Sequence, residues 1–507
     1  MQRYSSLVEL LSVGADDAIA LQAPGARPLT YRDLRTNQQK TVATLNSFGI
    51  GRQDRVAIVL PNGPDMASAF VCIAAGATAA PLNPVYRADE FEFYLSDLQA
   101  KALVVEKGST SPALAIADKL KIQVLELTPG EEGAGAFTLT QASPQPTSAP
   151  AMAGMAAPED IGLILHTSGT TSRPKIVPLS NINICASACN VRDNLQLTAS
   201  DRGLNIMPLF HIHGLVAGLL APLSAGSAIF CTPGFNALKF FAWMAEARPS
   251  WYTAVPTMHQ TIVARAAQNQ DVIAANPLRF IRSSSSSMPP QVIAELEATF
   301  NTPLIEAYGM TEAAHQMASN PLPPAKRIPG TVGIAAGPEV AIMDVDGKLL
   351  ERGMTGEIVI RGPNVTAGYE SNPKANAEAY TNGWFRTGDQ GVMDADGYLS
   401  ITGRLKEIIS RGGEKISPRE VDEILMDHPA VQQVVTFGIP HDKLGEEVGA
   451  AVVLREGVTA TEKELREFAA IRLADFKIPR KILFLEEIPK GATGKLQRIG
   501  LAAKLGL

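Results

Sequence analysis

The stretch Ile161-Gly-Leu-Ile-Leu-His-Thr-Ser-Gly-Thr-Thr-Ser-Arg-Pro-Lys175 decides how the chain is read. An apolar run of strand type gives way to hydroxyls, a glycine and a terminal ammonium. Ser168, Gly169, Thr170 and Thr171 supply O–H and backbone N–H donors that can wrap phosphate oxygens, and Lys175 adds charge. The bland alternative for such a loop is a polar strand-to-helix turn. It is not a Walker A loop, because no G-x-x-x-x-G-K-[ST] pattern occurs in the chain.

Strands alternate with helices around this loop. Arg55-Val-Ala-Ile-Val-Leu-Pro-Asn-Gly63 predicts a strand ending in a turn, then a helix that includes Phe70, Val71 and Cys72. Lys101-Ala-Leu-Val-Val-Glu-Lys107 and Ile122-Gln-Val-Leu-Glu-Leu127 repeat the pattern, with a helix over 112–120 between them. Such alternation favours an α/β architecture with substantial parallel sheet. The Pro-, Ala-, Ser- and Met-rich piece 143–158 reads as a surface connection. From Val340 the texture changes to short strands around an Asp-Gly turn, as in an antiparallel sheet or small barrel-like subdomain. Further on, Ser417 predicts the N-cap of a helix with Pro418 and Glu420 in its first turn. Strands are expected from Val431 and Gly449, and a helix over 461–476. The expected division is therefore 1–405, a large N-terminal domain of α/β sheets, and 406–507, a small α+β domain.

Composition narrows the class. The 507 residues carry 45 Lys+Arg against 51 Asp+Glu, a formal charge of −6. Apolar residues make up 46% and charged ones 19%, which permits large cores and excludes general disorder. Mild acidity argues against a nucleic-acid footprint, which needs a concentrated basic face. Four cysteines cannot form a disulfide framework in so long a chain and fit a reducing compartment. The start lacks a signal-peptide core, and the end, Ala-Lys-Leu-Gly-Leu507, differs from a peroxisomal Ser-Lys-Leu. Met66–Leu82 predicts a buried helix–strand unit, since a membrane span needs ~20 strongly apolar residues. A cytoplasmic location, with no membrane or nucleic-acid partner, is expected.

Further motifs follow the hydroxyl loop in order: Leu304-Ile-Glu-Ala-Tyr-Gly-Met-Thr-Glu312, Trp384-Phe-Arg-Thr-Gly-Asp389, Gly403-Arg-Leu-Lys-Glu407, Arg411-Gly-Gly-Glu-Lys415 and Pro489-Lys-Gly-Ala-Thr-Gly-Lys495. Over nearly the whole chain these motifs resemble the adenylate-forming superfamily of acyl-CoA synthetases, luciferases and peptide-synthetase adenylation domains. The resemblance implies a mobile C-terminal domain, with ATP and acid bound between the two domains. It also implies two steps. A carboxylate attacks the α-phosphorus of ATP and releases pyrophosphate; the thiol of CoA then attacks the acyl carbon and AMP departs.

The resemblance also assigns roles. Ser168, Gly169, Thr170, Thr171 and Lys175 would cradle the pyrophosphate; Ser172 stands where the family usually has Gly. Glu306, Ala307, Tyr308 and Gly309 would meet ATP, with Tyr308 near adenine and Thr311 near the α-phosphate. Glu312 would hold Mg²⁺, Asp389 would accept from the ribose hydroxyls with Arg404 in support, and Lys406 would be the hinge. Arg411, Gly412 and Gly413 would lie along the pantetheine arm. Lys495, close after flexible glycines Gly491 and Gly494, would bring its ammonium to two reactants that repel one another.

The acid is read from polar residues where an apolar pocket would otherwise lie. Ser283–Ser287 is a run of five serines, His315 lies three residues past Glu312, and His211 occupies the family's gate position. The serine run and Ala313-Ala-His-Gln-Met317 resemble the oxalyl-CoA synthetase subgroup. Oxalate is the expected acid, with Ser285, His211 and His315 holding it. The alternatives are a short- or medium-chain fatty or aryl acid, and a stand-alone adenylation module loading a carrier protein. No carrier-attachment motif follows Lys495. His213 reads as structural, since an H-x-H pair alone is poor evidence for zinc. Lys443, Arg472, Lys477 and Arg480 read as a solvated face, with the phosphates of CoA as the alternative.

Overall fold

The computed structural model describes residues 3–144, 148–167, 174–489 and 498–507. The chain divides into two compact units. The first contains the described residues up to Thr167, Ile176–Glu339 and Arg361–Ala377; the second contains Pro174 and Lys175, Val340–Ile360 and the described residues of Glu378–Leu507.

The first unit is built on two sheets with parallel centres. One has seven strands in the order Phe137–Gln141, Gln123–Pro129, Ala102–Glu106, Arg55–Val59, Thr78–Pro81, Ile161–His166, Ile176–Ser180. Its inner strands are near-continuous apolar runs buried on both faces, as parallel pairing under helices requires. Residues 66–82 supply the helix Pro64–Ile73, with Pro at its first position, and the strand Thr78–Pro81, as expected. No helix among the described residues is long and apolar enough to cross a membrane.

The second sheet has nine strands, and its middle positions the chemistry. Trp251–Ala254, Phe280–Ser283 and Leu304–Met310 run parallel, with Arg282 in register with Thr253 on one side and Ile305 on the other. The helix Asn181–Asn194 packs against strands of both sheets and is buried along most of its length. Ser180 caps it, accepting from the Asn183 backbone N–H at 3.2 Å. Cys185 and Cys189 lie on this helix; they, Cys72 and Cys231 are all buried with free thiols. His213–Leu220 winds as a π-helix, a form found mostly where function needs an altered turn.

In the second unit, the antiparallel piece expected after Val340 is a five-stranded sheet of Glu339–Met343, Thr355–Arg361, Trp384–Met393, Tyr380–Thr381 and Leu399–Arg404. The C-terminal sheet pairs Val431–His441 with Gly445–Leu454 along their full length and carries the helices Pro418–Met426 and Glu462–Ala470. Two local expectations differ. Ser417 precedes its helix, but its hydroxyl donates to the Thr402 carbonyl instead of accepting from the first turn. The helix expected over 461–476 ends at Ala470, so that Leu473 and Ile478 can turn into the core formed by Val421, Leu425 and Leu465.

Candidate functional site

The strand Leu304–Met310 doubles back into His315–Ser319, with Met310 opposite His315 and Gly309 opposite Gln316. The turn between them, Thr311–Ala313, is a single 3₁₀ turn followed by Ala314 at φ +46° and His315 at φ +106°. Left-handed backbone at non-glycine residues costs about 1–3 kcal/mol each and persists where surrounding contacts hold it. Gly309 makes the close approach feasible: a Cβ there would lie 1.8 Å from the His315 carbonyl oxygen.

Glu312 sits buried at the tip of this hairpin. Its Oε1 accepts from Tyr369 Oη at 2.8 Å, and its carbonyl accepts from the Thr366 N–H at 2.8 Å. Tyr369, absent from the sequence reading, thereby fixes the carboxylate. Upstream, Glu306 Oε2 accepts from the Gly330 N–H at 3.1 Å, and the Ala307 carbonyl accepts from Ser284 Oγ at 2.9 Å. Ala307 and Tyr308 are buried.

Beside the hairpin lies a polar cluster around Arg282, which is fully buried. Its Nη2 donates to His315 Nε2 at 3.0 Å and to Gln316 Oε1 at 3.2 Å. Its Nη1 lies 3.4 Å from both His213 Nε2 and Thr253 Oγ1. His213 and His315 stack with centroids 5.0 Å apart, and His213 Nδ1 is 3.0 Å from Ser285 Oγ. Ser285, at φ +74°, is exposed while both imidazoles behind it are buried. His211 is half-buried and packs against Phe210. Ser285 and His315 both contact His213, one by hydrogen bond and the other by ring stacking. His213, read as structural, links them to Thr253, and Arg282 was missed. Its signal was parity: one charged residue on the same strand face as Phe280 in a buried run.

Burial holds the His213 pKa well below its usual value of 6.5, and the nearby His315, Arg282, His259 and His211 add to the effect. Burial likewise pushes His259 down to about 3. Both rings are neutral in the fold, whereas unfolded histidine takes up a proton near 6.5. The unfolded state therefore binds more protons below pH 6.5, and stability falls with pH by about 1.4 kcal/mol per unit for each ring. Urea midpoints are expected to drop between about pH 6.5 and 5, and His259→Gln to flatten the drop. Equal midpoints across that range would contradict it.

In the second unit Asp389 and Arg404 face one another across paired strands, with Arg404 Nε donating to Asp389 Oδ1 at 3.0 Å. Lys406 lies in the 3₁₀ turn Leu405–Glu407. Arg411 makes a two-pronged ion pair with Glu447, at 2.6 and 3.0 Å, beside Gly412 and Gly413 at positive φ. Arg472, Lys477 and Arg480 pair with Asp427, Glu420 and Asp475, as residues of a solvated face do. Lys175 immediately precedes the strand Ile176–Ser180. Ser168, Gly169, Thr170, Thr171, Ser172 and Lys495, with Gly491 and Gly494, lie outside the described residues. Among the described residues no three His, Cys, Asp or Glu side chains converge as a metal cage.

Comparison with known proteins gives a consistent answer. Residues 13–370 match the AMP-binding enzyme family, and residues 420–495 match the AMP-binding enzyme C-terminal domain. An oxalate–CoA ligase of Arabidopsis thaliana is 45% identical over 501 residues, covering 97% of each chain. An oxalate–CoA ligase of Saccharomyces cerevisiae is 42% identical, covering 93% of this chain and 91% of its own. The crystal structure of ATP-bound MatB from Rhodopseudomonas palustris superposes with a TM-score of 0.88 at 28% identity, covering 99% of each chain. With the ordered motifs and both domain matches, the chain belongs to the AMP-binding enzyme family of adenylate-forming proteins.

Proposed function

We propose that the protein is a cytoplasmic, ATP-dependent oxalate–CoA ligase that releases AMP and pyrophosphate. The observation that carries this reading is the Arg282, His213, His315 and Ser285 cluster. It offers charge and hydrogen-bond donors, which a second carboxylate needs and a fatty or aryl chain does not. The two oxalate–CoA ligases over 40% identical support the same acid.

In this mechanism Ser285, His211 and His315 hold the acid while Lys495 offsets the repulsion between its reacting carboxylate and the triphosphate. A carboxylate oxygen then attacks the α-phosphorus and pyrophosphate leaves toward Ser168, Gly169, Thr170, Thr171 and Lys175. Thr311 bonds the α-phosphate, Glu306, Ala307, Tyr308 and Gly309 line the adenine, and Asp389 with Arg404 holds the ribose. Mg²⁺ fits Glu312, because that ion commonly takes one or two carboxylates plus phosphates and waters and offsets phosphate charge. Residues 406–507 then turn about Lys406, bringing Arg411, Gly412 and Gly413 toward the pantetheine arm. The CoA sulfur attacks the acyl carbon and AMP leaves.

A pyrophosphate-release screen with ATP, Mg²⁺ and CoA over small mono- and dicarboxylates is expected to rank oxalate first. A higher kcat/KM for octanoate or an aryl acid, or transfer to a carrier protein in place of CoA, would overturn the reading. Ser285→Gly separates strain from chemistry. Glycine adopts φ +74° freely, so stability is expected to rise by about 1 kcal/mol. Loss of the hydroxyl is expected to lower kcat/KM for oxalate about 10–100-fold. Thermal unfolding and steady-state rates measure the two effects.

A further inference from the structure

Among the described residues, no carboxylate answers the charge of Arg282. Its side chain is fully buried, its Nε has no hydrogen-bond partner among the described residues, and its other partners there are neutral: His315, Gln316, His213 and Thr253. A buried guanidinium without a carboxylate is costly, and an anion arriving from outside would offset that cost.

The contacts set the direction of every donor in the cluster. Guanidinium has only N–H donors, so His315 Nε2, 3.0 Å away, must accept and its proton sits on Nδ1. Thr253 Oγ1 accepts from Arg282, and its own O–H then points to His213 Nε2 at 2.7 Å. The His213 proton is therefore on Nδ1, donated to Ser285 Oγ at 3.0 Å. That leaves the Ser285 O–H free to donate outward from an exposed position.

Building on the proposed acid site, we propose that Arg282 is its specificity-determining positioning residue. It holds His213 and His315 as Nδ1–H donors, turns the Ser285 hydroxyl toward the acid, and supplies the buried positive charge that favours a dianionic diacid over a monoanion. A second carboxylate completes the charge balance; an acid without one leaves the guanidinium unanswered.

The test compares wild type, Arg282→Gln and Arg282→Lys with oxalate and glyoxylate, which has similar size and a single carboxylate. Arg282→Gln is expected to raise KM for oxalate about 30-fold or more and cut the oxalate-over-glyoxylate preference by a similar factor, with KM for ATP unchanged. Arg282→Lys, which keeps the charge, is expected to restore most of the preference. Equal losses with both acids, or a preference that survives in Arg282→Gln, would overturn the assignment. So would a Lys variant no better than the Gln one while both melt at the wild-type temperature. Should wild type prefer another acid in the release screen, the oxalate reading fails by itself. Arg282 is then judged on malonate against acetate, where an unchanged dianion preference in Arg282→Gln overturns it.

Discussion

Lys495→Ala is expected to lower acid-dependent exchange of pyrophosphate into ATP by at least about a thousandfold, while thioester formation from supplied oxalyl-AMP and CoA persists. The first step brings a carboxylate against a triphosphate, so its barrier depends on positive charge placed where both meet. The second step joins a thiol to an activated acyl group and has no such repulsion to overcome. Separate assays of the two half-reactions make the comparison directly. If both fell together, the account in which Lys495 serves adenylation alone and residues 406–507 turn between steps would be wrong.

Gly309→Ala should have the next largest effect, for a purely steric reason. The added methyl would lie 1.8 Å from the His315 carbonyl oxygen and 2.6 Å from its carbonyl carbon. Those two nearest atoms are backbone, so they cannot swing away as a side chain would. The hairpin must open, moving His315 from Arg282 and Glu312 from Tyr369 together. A displacement near 1 Å in a reacting geometry costs roughly a hundredfold, and overpacking of this kind about 1–3 kcal/mol of stability. Activity is therefore expected to fall at least about 100-fold with every acid tried, accompanied by a lower melting temperature. An alanine variant with wild-type rates would show that the hairpin does not set the pocket.

Much of the architecture was legible because it follows from patterning. The runs Val56–Val59 and Ala102–Val105 are apolar, which parallel strands under helices require, and the short strands around an Asp-Gly turn after Val340 marked the antiparallel sheet. The strand before Glu312 was legible, but the hairpin that returns through His315 was not, because its tightness rests on Gly309 and on φ values that no periodicity reveals. Ser285 stood out within a run of five serines, yet its neighbours do different work: Ser284 bonds the Ala307 carbonyl, and Ser283 Oγ is buried without a partner among the described residues. Arg282 stayed hidden because one arginine in a strand reads as an edge position until Thr253 and Ile305 are seen on either side. Tyr369 reaches Glu312 from 57 positions away, a separation at which local sequence carries no information.

The interior placement of all four thiols has a practical side. Burial pushes each of them toward the protonated, unreactive form. The mixed anhydride therefore meets no thiolate from its own polypeptide, and self-acylation at sulfur does not drain the product. For the same reason an aromatic disulfide reagent added to an aliquot of native enzyme should titrate the remaining free coenzyme with little background colour, although capping the CoA sulfur stops the reaction in that aliquot.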